Sequence, residues 1–168
     1  NKDSLERVLV KNPMIKSAQV YYSLDGYIHV NIQQREPVLR VLTGEGYYVD
    51  RDGRVMPLSS KFTSRVVVAT GDINKKFACE KLGPFAMKLK NEPFWDAYIE
   101  QLVVRSNEDV VMIPKVGDFR IVLGKVDDCD ARLEKLILFL KDGITKKGWN
   151  RYKEINLKFD NQVVCVRK

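Results

Sequence analysis

Residues 27–58, YIHVNIQQREPVLRVLTGEGYYVDRDGRVMPL, decide the fold. Ile28, Val30 and Ile32 alternate with His29, Asn31 and Gln33, the period of a strand with one buried face. Arg35-Glu36-Pro37 interrupts the pattern, because Pro37 has no N–H to give to a ladder. A second apolar run, Val38 to Leu42, follows. Then comes a hairpin in which Tyr47–Val49 and Arg54–Met56 flank the turn Asp50-Arg51-Asp52-Gly53. Two sheet-forming units therefore meet at Glu36-Pro37, and nothing between them carries a catalytic pattern.

Upstream, residues 3–11 form a helical pattern that Asp3 or Ser4 can cap, with Leu5, Val8 and Leu9 on one face and Asn12-Pro13 at its end. Lys16–Leu24 is strand-like, Asp25-Gly26 is a hairpin turn, and Tyr27–Gln34 returns. This helix-strand-strand unit, about 35 residues, is too small to bury a core of its own. Downstream, Val66–Val68 is a short buried strand. A helix lies within Lys81–Lys90, with Leu82, Phe85, Ala86 and Leu89 on one face and Pro84 in its first turn. Asn91-Glu92-Pro93 breaks it, and Phe94–Tyr98 is a helical turn that buries two aromatics. Ile99–Arg105 and Asp109–Ile113 pair across Ser106-Asn107-Glu108, and Phe119–Leu123 is a further strand. Asp128 or Asp130 caps a helix carrying Leu133, Leu136, Ile137 and Leu140, which Gly143 stops. Trp149 and Tyr152 lead into a last hairpin, Glu154–Phe159 and Gln162–Arg167, turning at Asp160-Asn161. The expected fold class is α+β: the helix-strand-strand unit, then a mostly antiparallel β domain with two or three helices.

The chain has 168 residues, 45% of them hydrophobic, enough for a packed domain. Lys plus Arg is 29 and Asp plus Glu is 22, a net charge of +7 without any long run of like charge. The basic bias suits nucleic acid, anionic lipid or an acidic protein. Cys79, Cys129 and Cys165 are far apart and form no CxxC pair, so zinc and thioredoxin chemistry are not indicated, and small buried apolar roles are expected for all three. The densest apolar run, Leu136–Leu140, is far short of the ~18 residues a membrane span needs, and no signal peptide is present. The chain opens inside a helical pattern, which is expected of a piece of a longer protein whose anchor lies elsewhere.

Candidate chemistry is sparse. With Gly53 at the sixth position of a calcium loop, Ser59 falls where a carboxylate is required, so Asp50–Gly53 reads as a hairpin turn. His29, the single histidine, sits on the polar face of a strand without a nucleophile motif. Gly44-Glu45-Gly46 lacks the third glycine of a dinucleotide site, and Asp127-Asp128 precedes a helix, where capping explains it. Basic-aromatic interleaving for nucleic acid comes closest at Arg151-Tyr152-Lys153 and Lys158-Phe159, but strand phase puts Phe159 with Ile155 and Leu157 in the core. No catalytic residue, metal ligand or cofactor is indicated. The C-terminal strand Gln162-Val163-Val164-Cys165-Val166-Arg167 is strongly β-forming. At a sheet edge it would template an added strand; inside the sheet it would be structural.

Taken together, Asn12-Pro13-x-Ile15-x-x-Ala18-x-Val20, Val30-x-Ile32-x-Gln34-Arg35-Glu36-Pro37-Val38 and Tyr48-Val49-Asp50-x-Asp52-Gly53-x-Val55-x-Pro57 resemble the extracytoplasmic region of the bacterial cell-division family FtsQ/DivIB. Gly71, the Leu82–Leu89 helix, Phe94-Trp95 and Ile155-Asn156-Leu157-Lys158-Phe159 follow in the same order. The resemblance implies that residues 1–37 are the C-terminal part of a POTRA domain, whose first strand and helix would lie upstream, and that residues 38–168 are the β domain. It implies a non-enzymatic divisome scaffold, periplasmic or extracytoplasmic, held in the inner membrane at the septum by an N-terminal helix outside this chain. The implied partners are FtsB and FtsL (DivIC-like) proteins, with no nucleic acid. The partner would add a strand beside Gln162, Val163, Val164, Cys165, Val166 and Arg167, with Lys158 and Phe159 in the place of an Arg-Tyr pair and Lys158 meeting a partner carboxylate. The family's late tryptophan has no match. A POTRA-bearing secretion or outer-membrane assembly component is the alternative, and a basic nucleic-acid-binding module a second.

Overall fold

The computed structural model describes residues 1–144, 148 and 150–168. Helix α1 (Lys2–Val10) starts earlier than its acidic cap signals suggest, because Asn1 accepts the Asp3 N–H at 3.2 Å. Strands β1 (Ile15–Tyr22) and β2 (Ile28–Gln34) form a separate antiparallel pair with Val20 opposite Val30. α1 packs on β1, and Ile15 and Val20 are buried. It leaves β2 bare, so Ile28, Val30 and Ile32 are each about half exposed and α1 itself buries no residue. Glu6 of α1 accepts the Val20 N–H at 2.7 Å, closing part of the outer edge of β1 with a carboxylate.

Pro37 does more than interrupt a strand. It opens β3 (Pro37–Val41), and at a strand's first position the missing N–H is tolerated. The larger sheet continues with β4 (Tyr47–Asp50), β5 (Val55–Pro57), β6 (Val67–Gly71), β7 (Ile99–Arg105), β8 (Asp109–Pro114), β9 (Arg120–Gly124), β10 (Tyr152–Asn156) and β11 (Val164–Arg167). Its order is β11-β10-β9-β8-β7-β6-β3-β4-β5. The neighbours are mostly antiparallel, as expected, but β3–β6, β6–β7 and β9–β10 are parallel. Parallel neighbours in sequence need crossover connections, and helices supply two of these.

The first crossover, between β6 and β7, holds α2 (Lys75–Phe77), a π-helical turn (Ala78–Leu82), α3 (Gly83–Asn91) and α4 (Pro93–Tyr98). The helical run thus begins well before Lys81, capped by the Asn74 side chain at the Phe77 N–H, 2.8 Å. Pro84 stands in the first turn of α3, as expected, while the π-helical turn before it carries the helical run further upstream. The Gly83 N–H reaches back to the Ala78 carbonyl, and this wider turn precedes the proline that has no N–H for a regular helical bond. A Cβ at Gly83 would stand 3.0 Å from Val49 Cγ1, so glycine lets α3 sit directly on β4. As expected, α4 buries two aromatics, Trp95 and Tyr98.

The second crossover carries α5 (Asp130–Phe139) between β9 and β10. Neither Asp128 nor Asp130 caps it: Cys129 holds that position without a side-chain bond. The carboxylates of Asp127 and Asp130 are engaged instead by the π turn and α3, with Lys81 2.7 Å from Asp127 and Lys88 2.5 Å from Asp130. These hydrogen bonds raise the pKa of both lysines. Gly143 does not stop the helix but lies within a π-helical turn, Leu140–Ile144. Trp149 lies outside the described residues. The helices lie on one face of the sheet: Phe77, Leu82, Phe85, Leu89, Leu133 and Leu136 pack with Val41, Leu102, Val104, Met112, Ile121, Leu123 and Ile155 in one core cluster. Of the cysteines only Cys129 is fully buried; Cys79 and Cys165 are half-buried, and all three are free.

The Asp50–Gly53 turn ties the two units together. Asp50 Oδ2 is 2.8 Å from Arg35 Nη1, with side-chain exposures of 1% and 10%. Its Oδ1 accepts the N–H groups of Asp52 at 2.9 Å and Arg54 at 2.8 Å. Around this pair are exposed ones, Arg51–Glu36, Lys90–Glu36 and Lys16–Asp52, at 3.1–3.3 Å. Asp50→Ala should cost about 3–5 kcal/mol in urea unfolding, since it strands the Arg35 charge and two backbone donors. Lys16→Ala, at an exposed pair, should cost less than about 1 kcal/mol in the same measurement.

Candidate functional site

A sheet edge is an interaction site only if its backbone groups are free, so the two edges of the large sheet differ in kind. β5 is three residues long and ends in Pro57, two devices that blunt an edge. β11 has no proline, although Arg167 falls in phase with the inward-facing Cys165, and among the described residues its outer side has no strand neighbour. β11 pairs with β10 through Glu154–Val166, Ile155–Cys165 and Asn156–Val164. Val163 and Cys165 pack towards the helix-covered core, while Val164 and Val166 are 37% and 39% exposed on the opposite face. On that face a row of cross-strand neighbours, Thr70, Val103, Val111, Val122, Asn156 and Val164, runs out to the edge. Beside it lies a trough of about 850 Å³, lined by Val103, Ile113, Arg120, Glu154 and Lys168 among others.

The ladder ends sooner than its sequence suggests, because β10 stops at Asn156 and β11 starts at Val164. The Leu157 N–H still bonds the Val122 carbonyl at 2.9 Å, and Leu157 is fully buried. Then the Asn156 side chain accepts the Lys158 N–H at 3.0 Å, a local turn that ends the alternation. Lys135 of α5 donates to the carbonyls of Leu157, 3.1 Å, and Phe159, 2.6 Å, and fixes the turn. Phe159 is therefore not core, as strand phase predicts, but 47% exposed.

Lys158 has an ion-pair partner within the chain. Its Nζ is 3.1 Å from Asp109 Oδ1, so its charge is engaged within the chain. Gln162 and Arg167 are exposed. The structure thus places Phe159, Val164 and Val166 as exposed side chains around β11, with Val163 and Cys165 anchoring it from beneath. Asp109, Gly124 and Lys135, which shape this corner, carry no signal in the local sequence, because each acts across the sheet. Asn156 has one, an Asn two residues before the N–H it accepts.

Elsewhere, His29 stacks on Tyr21 on the exposed hairpin, ring centroids 4.9 Å apart. Among the described residues no group of three His, Cys, Asp or Glu could hold a metal, and no helix is long and apolar enough to cross a membrane. Burial, first among the causes, raises the thiol pKa of Cys79, Cys129 and Cys165.

The fold defines a class: an α+β module in which one helical layer braces a mixed sheet whose last strand has no outer strand neighbour among the described residues. A family model described as "FtsQ/DivIB, C-terminal related" matches residues 36–166. The chain belongs to that family of cell-division proteins. No curated protein matches it.

With the thiol pKa values raised, little thiolate is present at neutral pH. Native protein should therefore react slowly with a thiol reagent at pH 7 and faster as pH passes the ordinary thiol range, ~8.5. Cys129, buried under α5, should be the last to react, and mass spectrometry of the labelled peptides checks the order.

Proposed function

We propose that this chain is the extracytoplasmic part of a non-enzymatic division scaffold that regulates septal wall synthesis and takes FtsB/FtsL-type (DivIC-like) partners by strand addition at β11. The open β11 edge carries this reading: an added strand would gain backbone hydrogen bonds there, with Val164, Val166 and Phe159 beside it for side-chain contact. Family membership supports the division role. Residues 158, 159 and 162–167 are the proposed contact set. On the same reading the whole protein is anchored in the inner membrane by an N-terminal helix and acts at the septum.

Residues 1–37 are proposed as the C-terminal part of a POTRA-like domain and 38–168 as the β domain. The separate β1–β2 sheet and a family match that starts at residue 36 support this division. The half-exposed Ile28, Val30 and Ile32 would be covered by the earlier strand and helix of the complete unit.

The test is calorimetric titration with a peptide from the extracytoplasmic segment of the FtsB/DivIC-type protein of the same organism. Removing residues 160–168 should abolish binding while circular dichroism shows the remaining fold retained. Unchanged affinity in that folded variant would refute strand addition. Phe159→Ala should weaken binding about fivefold or more, as truncated aromatic anchors do.

A further inference from the structure

The Lys158 side chain turns away from the strand edge it adjoins. Sheet order puts β9 between β10 and β8. Lys158, just after β10, crosses β9 to reach Asp109 at the start of β8, Nζ to Oδ1 3.1 Å. The crossing point is Gly124, where a Cβ would lie 3.1 Å from Lys158 Cγ and 3.5 Å from Cδ. The lysine stem therefore lies over a position without a side chain, and its ammonium reaches β8, two strands inward from β10 and three from β11. Asp109 is the sheltered member of the pair, 19% exposed against 48% for Lys158. No other carboxylate lies within ion-pair distance of Lys158 among the described residues.

We infer that Asp109 is an intrachain competitor for the partner's acidic group, holding Lys158 stowed across Gly124 until a partner carboxylate displaces it. The inference rests on the strand-addition reading and adds its regulation. A partner strand along β11 that brings a carboxylate to Lys158 finds that cation already paired with Asp109, so engaging it exchanges one ion pair for another. Only a partner whose carboxylate stands where Lys158 can swing out gains from the exchange. Asp109 thus lowers the affinity for an acidic partner strand and leaves that for a merely apolar one unchanged, so it narrows the difference between them.

Titrations use the same partner peptide and the 168-residue chain, at low salt where exposed charges are least screened. Asp109→Asn keeps the shape and removes the competing charge. It should tighten binding roughly two- to fivefold, the span of an exposed ion pair. In a Lys158→Met background the same change should have no effect, which separates release of the lysine from a general change in charge. Unchanged or weaker binding by Asp109→Asn overturns the inference, and so does an equal gain in both backgrounds. Binding that survives loss of residues 160–168 overturns the strand-addition reading, and the inference falls with it. If that truncation abolishes binding while Asp109→Asn is silent, strand addition stands and the competitor does not.

Discussion

The Arg35–Asp50 pair is the interaction on which the arrangement of the chain depends. A carboxylate 1% exposed is stable in a protein interior only when its lone pairs are satisfied, and Asp50 meets that condition with one guanidinium and two backbone donors. Three separate pieces of chain must be in place for this to hold: the strand end at Arg35, the β4 terminus, and the turn that brings Asp52 and Arg54 round. The pair therefore fixes where the first hairpin leaves off and the large sheet begins. Arg-Glu-Pro and Asp-x-Asp-Gly, which together give the chain its family resemblance, are the two sides of one contact. The calcium reading fails for the same reason that the turn forms, since its first carboxylate is already consumed within the protein.

The large sheet is asymmetric in two directions. Across its thickness, helices cover one face and leave the other with a valine row bounded by charged side chains. Across its width, one margin is short and ends in proline while the other is a regular strand. β11 is the regular strand at one of these margins, and the chemistry beside it is set from a distance. Lys135 reaches from α5 to hold the turn that exposes Phe159, and Asp109 reaches from β8 to hold Lys158. The side chains at the margin are thus positioned by elements on either side of the sheet.

Much of this was legible in the sequence, and the failures have identifiable causes. The strict alternation of β2 is readable because period two is local, while β7 is readable from its β-forming residues and the turn that follows it. The helix over Leu82–Leu89, with Pro84 in its first turn, is readable, but the upstream continuation of the helical run through the π turn is not. Phe159 was misplaced because alternation was extended past Asn156, whose side chain closes a turn there. Asp127 and Asp130 stand at a helix start, where caps are common, yet lysines from a helix more than forty residues away claim them. The parallel pairing of β9 with β10 has no local signature, and without it the position of β11 could not be derived.

That parallel pairing also orders assembly. An antiparallel neighbour can form from a tight turn, but β10 can join β9 only after the chain has travelled through α5 and returned. β11 can pair with β10 locally, but it joins the large sheet only through β10. The exposed margin is thus the last rung of a dependency that begins in the core. A chain that presents it has already docked α5, so the display of the edge is itself a report that the domain beneath it is complete.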